Sequence, residues 1–240
     1  MNVEIIIFTN GYGEDTIGVS LASLLKQNKN IYAFPFVGTG KIFEKAGISL
    51  YYKGKDLPSE GLSLREGISF LWIDIKKGLI GEIFRIANKL YTLSHKSFIP
   101  IVIGDFYPLI LIYLFANKRP LFILSSKSIR IKSFSNLEIY ILRHFAFKVF
   151  VRDKETEIFL KKRGVNALYL GNPIIGLVGS KSRKIVKTND KATLLFLPGS
   201  RSDVYKNIIY MLKIVDVLDE FGRTGSFSFF FHLSNDISLE

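Results

Sequence analysis

Three short stretches hold residues whose types and spacing could do chemistry. The first is Asn10-Gly11-Tyr12-Gly13-Glu14-Asp15. Glycines there let backbone approach a ligand, and the helix start that should follow offers free N–H groups and partial positive charge. Two adjacent acids make this a poor phosphate cradle and suit a role toward a hydroxyl. Both acids also have a plain reading as first-turn residues favoured by the helix dipole, an even choice for Asp15, whereas Glu14 favours function. The dinucleotide pattern G-x-G-x-x-G is not met, since position 16 is Thr and Gly18 comes two positions late; no P-loop Lys follows either.

The second stretch is Ile101-Val102-Ile103-Gly104-Asp105-Phe106-Tyr107-Pro108. An apolar run ends in a carboxylate where ligands bind in open α/β sheets. Asp105 reads either as a cap for the next helix or as a general base, whose pKa apolar neighbours would raise. The third is Leu197-Pro198-Gly199-Ser200-Arg201. Backbone N–H groups, a hydroxyl and a guanidinium at one helix start suit a diphosphate, and the alternative is an ordinary Pro-Gly turn with a solvated Arg. His95, His144 and His232 show no metal-ligand spacing, so no metal is expected.

These stretches need strand–turn–helix units to position them, and the chain supplies such units in series. Strands are expected at Val3–Thr9, Ile31–Val37, Ile99–Gly104, Pro120–Ser125, Phe147–Val151 and Ala167–Leu170. Between them lie helices: one carrying Ile17, Leu21, Leu24 and Leu25, then Lys41–Ala46, one or two amphipathic helices within Leu64–Ser94 with Gly78 and Gly81 as possible breaks, Leu109–Ala116, Asn136–Phe145 and Lys154–Arg163. Lys53–Gly61 reads as a loop. Alternation of this kind predicts an α/β doubly wound parallel sheet.

At Gly179–Asp190 the composition turns polar and basic, which marks a linker between a first domain, residues 1–178, and a second, residues 191–240. There the pattern restarts with strand Thr193–Leu197, helix Val204–Phe221 and strand Ser226–His232. Three elements cannot close a sheet, so the second domain is read as incomplete.

With 48% hydrophobic residues the 240-residue chain can build a core and is not disordered as a whole. It has no Cys, which excludes disulfides and thiolate chemistry and agrees with a reducing compartment. No secretory signal is visible, and Asp105, Pro100 and Pro108 interrupt the longest apolar stretch, Phe98–Ala116, which excludes a membrane span there. The formal charge of +12 asks for an anionic partner. Twelve Lys/Arg against four acids between Lys118 and Arg163 read by default as a solvated face. Phe70, Trp72, Lys76, Lys77, Phe84 and Tyr91 could instead rest on an anionic bilayer surface. Nucleic-acid binding has only the charge in its favour, since no RNA-binding aromatic signature or helix-turn-helix pattern is present.

Taken together, FTNGYGEDTIGVSLASLL (Phe8–Leu25), FVGTGKIFEKAGI (Phe36–Ile48), IVIGDFYPLIL (Ile101–Leu111), YLGNPIIGLV (Tyr169–Val178) and LLFLPGSRSDV (Leu194–Val204) resemble the lipid-A-disaccharide synthase family of GT-B glycosyltransferases, most closely its synthase-related branch. The resemblance implies two Rossmann-like domains, with acceptor in the first, nucleotide sugar in the second and catalysis in the cleft. It implies inverting, metal-independent transfer of a hexosamine-type sugar from a UDP-sugar to a membrane lipid acceptor. No cofactor beyond the UDP-sugar is implied. The setting would be cytoplasmic and peripheral, on the inner face of the cell membrane. Asp105 sits where the family has its catalytic acid, the base for the acceptor hydroxyl. Asn10, Gly11, Gly13 and Glu14 occupy the glycine-rich first loop, and Gly199, Ser200 and Arg201 the donor-diphosphate position. The first loop departs from the family's GEASGD-type pattern, and Asn172 stands in the interdomain segment where the family has His. The resemblance also implies that most of the donor-binding domain lies beyond Glu240, so the 240-residue chain by itself is expected to transfer little sugar. The alternative function is a non-catalytic lipid- or anion-binding protein that retains the acceptor domain.

Overall fold

The computed structural model describes residues 4–11, 13–25, 30–54, 79–175, 191–199 and 204–231. The chain divides into two compact units, Met1–Lys181 and Ser182–Glu240.

In the first unit the elements run β1 (Glu4–Thr9), α1 (Gly13–Leu25), β2 (Ile31–Pro35), α2 (Lys41–Lys45), β3 (Ser49–Leu50), α3 (Leu79–Ser94), β4 (Phe98–Gly104), α4 (Phe106–Ala116), β5 (Leu121–Leu124), α5 (Asn136–Phe145), β6 (Lys148–Val151), α6 (Lys154–Lys161) and β7 (Ala167–Tyr169). Seven strands form one sheet in the order β3-β2-β1-β4-β5-β6-β7. Every pairing is parallel. The fold is therefore the α/β, Rossmann-like arrangement that alternating strands and helices predict. β1 and β4 lie at its centre and are buried on both faces, which is why they read as near-continuous apolar runs.

Side chains alternate across the sheet, so the two faces sort by residue parity. Ile5 and Ile7 pack with Ile17, Ala22 and Phe43 of α1 and α2. Ile6 and Phe8 pack the other way, with Ile86 and Leu90 of α3 and with Leu109 and Ile112 of α4. On that face Phe8, Phe34 and Phe36 pack with ring centroids 5.1 to 6.0 Å apart. Gly18 lies against the sheet: a Cβ there would meet Phe43 Cζ at 2.9 Å and Thr9 Cγ2 at 3.1 Å. The glycine that arrives two positions late for a dinucleotide motif thus sets how closely α1 packs on β1.

Two local expectations need correction. Gly81 does not break a helix but sits in the first turn of α3. The helix after β4 starts at Phe106 rather than Leu109 and takes Pro108 into its first turn, where a missing N–H costs nothing. Gly78, residues 55–61 of the expected loop, and Phe70, Trp72, Lys76 and Lys77 lie outside the described residues. Among the described residues, no helix is long and apolar enough to cross a membrane.

The second unit contains β8 (Ala192–Phe196), α7 (Val204–Glu220), a 3-10 turn (Thr224–Ser226) and β9 (Phe227–Phe231). β8 and β9 pair in parallel, with Phe196 opposite Phe231, so the described part is a βαβ unit. The linker at 179–190 lies outside the described residues.

Candidate active site

β1 is flanked by β2 on one side and β4 on the other. The chain leaves β1 toward β2 and reaches β4 only after crossing back, so the sheet's order reverses between β1 and β4. In open α/β sheets the crevice outside the carboxyl ends of such a strand pair is where ligands bind. The segment following β1 is Asn10–Glu14, and the segment following β4 is Gly104-Asp105. Thus the two stretches singled out in the sequence come to one place although some 90 residues separate them.

Gly104 is the piece that lets them meet. It has φ +129, in the left-handed region that favours glycine. A Cβ there would lie 3.2 Å from Glu14 Cγ, 3.8 Å from Glu14 Cδ and 3.6 Å from Asn10 Cβ. With no Cβ in the way, the Glu14 side chain lies against the backbone one residue before Asp105. Asn10 is buried, and its side-chain oxygen has no hydrogen-bond partner among the described residues. Gly11 closes the turn by accepting a hydrogen bond from the Glu14 N–H at 3.2 Å.

Asp105 occupies the N-cap of α4 with extended backbone, yet its side chain makes no capping hydrogen bond. Capping was the plain explanation for an Asp at this position, and the structure does not bear that explanation out. Asp15 differs. It is buried under α1, and burial pushes its pKa up to about 6. The neighbouring Glu14 charge pushes it the same way, while the Thr9 hydroxyl and the Gly11 N–H pull it down. Asp15 belongs to the interior of the turn, whereas Glu14 and Asp105 are half-buried at the crevice.

Further groups gather on this edge that sequence reasoning missed. The Ser126 hydroxyl, just past β5, donates to the Gly104 carbonyl at 3.4 Å. Arg152, just past β6, donates to the Ser125 carbonyl at 3.3 Å. Tyr107, two residues beyond Asp105, has a buried hydroxyl with no partner among the described residues, and burial raises its pKa to about 12. The sequence does carry a signal for Ser126: Ser125-Ser126-Lys127-Ser128 follows an apolar strand directly.

Two further predicted residues follow other strands. Asn172 follows β7, three strands from β4, roughly 14 Å across the sheet at normal strand spacing. Its side-chain oxygen accepts the Ile174 N–H at 3.1 Å, so it shapes a local turn. Gly199 lies in the second unit after β8, where Asn207 donates to the Pro198 carbonyl at 2.8 Å. Ser200 and Arg201 lie outside the described residues.

The arrangement is a carboxylate pair with amide and hydroxyl groups around it, at the helix starts of α1 and α4. It can accept a proton from a bound hydroxyl and orient that hydroxyl. Among the described residues no three His, Asp or Glu side chains converge as a metal site would require.

No protein-family model matches this chain, and no curated protein matches it. Solved structures do. One is a UDP-N-acetylglucosamine 2-epimerase from Rickettsia bellii, with TM-score 0.54 and 10% identity over 99% of this chain. Another is the UDP-GlcNAc 2-epimerase from Neisseria meningitidis bound to UDP-GlcNAc, with TM-score 0.55 and 12% identity over 98% of this chain. This chain spans 66% of the length of each. At that identity the likeness shows a shared fold, the GT-B type, over nearly the whole of this chain.

Proposed function

We propose that the chain belongs to a UDP-sugar-using enzyme, and that its chemistry is transfer of a hexosamine-type sugar to a hydroxyl of a membrane lipid, as in lipid-A-disaccharide synthases. The UDP-sugar part draws support from the fold, since one structure sharing it is described as bound to UDP-GlcNAc. The transfer part rests on one observation: Glu14 is laid against Gly104, beside Asp105, at the β1/β4 crevice. Asp105 takes the proton of the acceptor hydroxyl as its oxygen attacks the anomeric carbon. The bond from that carbon to the diphosphate oxygen breaks, its electron pair leaves with UDP, and the configuration inverts. Glu14 and Asn10 orient the acceptor, and Gly199, Ser200 and Arg201 receive the diphosphate. UDP-sugar is the co-substrate, and the scheme uses no metal or other cofactor. The workplace is the cytoplasmic side of the cell membrane, against its anionic surface, with no part for nucleic acid.

A second reading, epimerisation of the UDP-sugar itself, is favoured by the activity named for the two structures described above. One assay separates the two. UDP-GlcNAc labelled in the sugar is incubated with lipid extract, using this chain and the longest polypeptide that its gene encodes. The products are then divided into lipid-soluble and aqueous fractions. Label in the lipid fraction that disappears with Asp105→Asn supports transfer. Label in an epimerised UDP-sugar supports the second reading. No turnover in either polypeptide, with lipid binding retained, leaves a lipid-binding protein.

A further inference from the structure

The outer side of α3, α4 and α5 is unlike the solvent face of an ordinary α/β domain. α4 reads FYPLILIYLFA and carries no charged side chain on any face. Its inner side, Leu109, Ile112 and Ala116, is fully buried, so water should meet polar groups opposite. Instead Leu114 is 59% exposed, with Ile110 and Tyr113 partly open beside it. Phe84 of α3 is 72% exposed, with Tyr91 exposed two turns further along the same face. On α5, Leu137 is 68% exposed, and Tyr140, three residues on, is also exposed. The apolar surface is continuous between helices: Tyr113 of α4 stacks on Phe145 of α5 at 4.0 Å, and Tyr140 meets the Phe145 ring edge-on at 6.3 Å.

The charge of this layer has one sign. From Ile83 to Leu137 the only acid is Asp105, at the crevice end of α4, against eight Lys and Arg. The two acids bordering that stretch are both engaged: Glu82 with Arg85 and the Tyr52 hydroxyl, Glu138 with Lys127. At the rim, Lys89 and Lys96 rest on the Tyr51 ring at 5.2 and 5.4 Å, and Lys118 on the Phe98 ring at 5.9 Å. Ammonium groups seated on rings beside exposed Phe, Tyr and Leu match the boundary between anionic headgroups and acyl chains.

We propose that the outer surface of the α3–α4–α5 layer docks on an anionic lipid bilayer. This deepens the reading of a membrane lipid as acceptor and rests on it for its purpose, though its test does not. Charge complementarity selects the occupant. A second copy of the chain would bring like charge against like charge, and an aliphatic ridge such as Leu114 and Leu137 serves no purpose for nucleic acid. The layer also connects to the crevice through one rigid element. Leu114 lies nine residues beyond Asp105 on α4, roughly 13 Å along the helix axis. A headgroup held at the bilayer surface is thus within reach of the carboxylates.

The test is co-sedimentation of the 240-residue chain with phosphatidylcholine vesicles, with and without phosphatidylglycerol, in the absence of any UDP-sugar. Binding is expected only when phosphatidylglycerol is present, and weaker as salt rises. Leu114→Glu and Phe84→Glu, both at exposed sites and checked for native circular dichroism, are each expected to weaken it about tenfold, and the pair to abolish it. Lys118→Glu tests the electrostatic part and is expected to cost about fivefold. Failure to bind phosphatidylglycerol vesicles overturns the proposal, as does binding that the Leu114→Glu, Phe84→Glu pair leaves intact. Self-association abolished by Leu114→Glu, with no vesicle binding, would assign the face to a second copy instead. Because donor sugar is absent, failure to dock and failure to transfer are read separately.

Discussion

Two pairs of helix starts line the carboxyl edge of the sheet, and they are finished differently. α5 and α6 are closed by their own side chains. Ser135 accepts the Glu138 N–H, and Glu138 reaches back to the Ser135 N–H, a complete capping box. Asp153 accepts the Thr156 N–H at 2.8 Å. α4 begins with an Asp too, but Asp105 makes no capping bond, and the neighbouring turn into α1 leaves the Asn10 carboxamide oxygen without a partner among the described residues. Asp153 and Asp105 are the same residue type at the same structural position, yet only one is used as a cap. The same residue type at the same position thus closes the helix start at α6 and does not close it at α4, and this difference is what the proposed role of Asp105 predicts along a single edge.

The comparison breaks first at Asp105. Asp105→Asn should lower sugar transfer at least about 100-fold, the usual contribution of a general base, and should cost less in the urea midpoint than Asp153→Asn, because Asp105 makes no capping bond. A stability loss without an activity loss would make Asp105 another Asp153. Next is Gly104→Ala. The added methyl at φ +129 meets Glu14 Cγ at 3.2 Å, so either the backbone or Glu14 must give way. A loss of about 2 kcal/mol in urea unfolding is expected, together with loss of acceptor binding. Unchanged stability would mean that the turn has slack, and the case for a preset carboxylate pair would weaken.

Much of this edge could be read without coordinates, for identifiable reasons. β1, β4 and α5 are long or strongly patterned, and the limits expected for α5, Asn136–Phe145, coincide with those observed. β3 escaped because two residues carry no period. The onset of α4 lies three residues before the Leu109 that its apolar run suggests, because Pro108 fits the first turn of a helix. At the crevice, Glu14 and Asp105 could each be placed at a helix start from strand–turn–helix context. Their meeting could not, because it depends on β1 pairing with β4 across a long stretch of chain, which is a property of the whole sheet. Asn172 also has a local job that its place in a motif does not announce, holding the Ile174 N–H.

Asp15 sharpens the comparison through pH. Its pKa is raised on folding to about 6, chiefly by burial, so the native state holds the proton more tightly than the unfolded chain does. The stability this contributes is complete below about pH 4, near the ordinary carboxylate value, and is lost as the pH rises through about 6. Asp15→Asn imitates the protonated form. It should therefore stabilise the chain at pH 8 by about 3 kcal/mol and leave it unchanged at pH 4, as read from urea midpoints at the two pH values. A mutant less stable than wild type at pH 8 would show that the ionised carboxylate holds the first turn together, in the manner of Asp153.

The smallest effect is expected where the caps are complete. Ser135→Ala and Asp153→Ala each remove a bond to a helix-start N–H and should each cost about 1 kcal/mol at neutral pH, with no change in acceptor binding. The two caps then part company in acid. Although burial opposes it, the Ser128 and Thr156 side chains and the Thr156 N–H hold Asp153 below the usual carboxylate range. A lowered pKa gives stability that is present above the unfolded value and fades as the pH falls through the folded one. The penalty of Asp153→Ala should accordingly shrink as a urea series is carried from pH 7 toward pH 3. That of Ser135→Ala should fall less, because its hydroxyl does not titrate, and only the Glu138 half of the box weakens as that carboxylate, also held low, takes up its proton. If both penalties vanished together, the caps would be acting through the general charge of the edge, and the contrast with Asp105 would rest on activity alone.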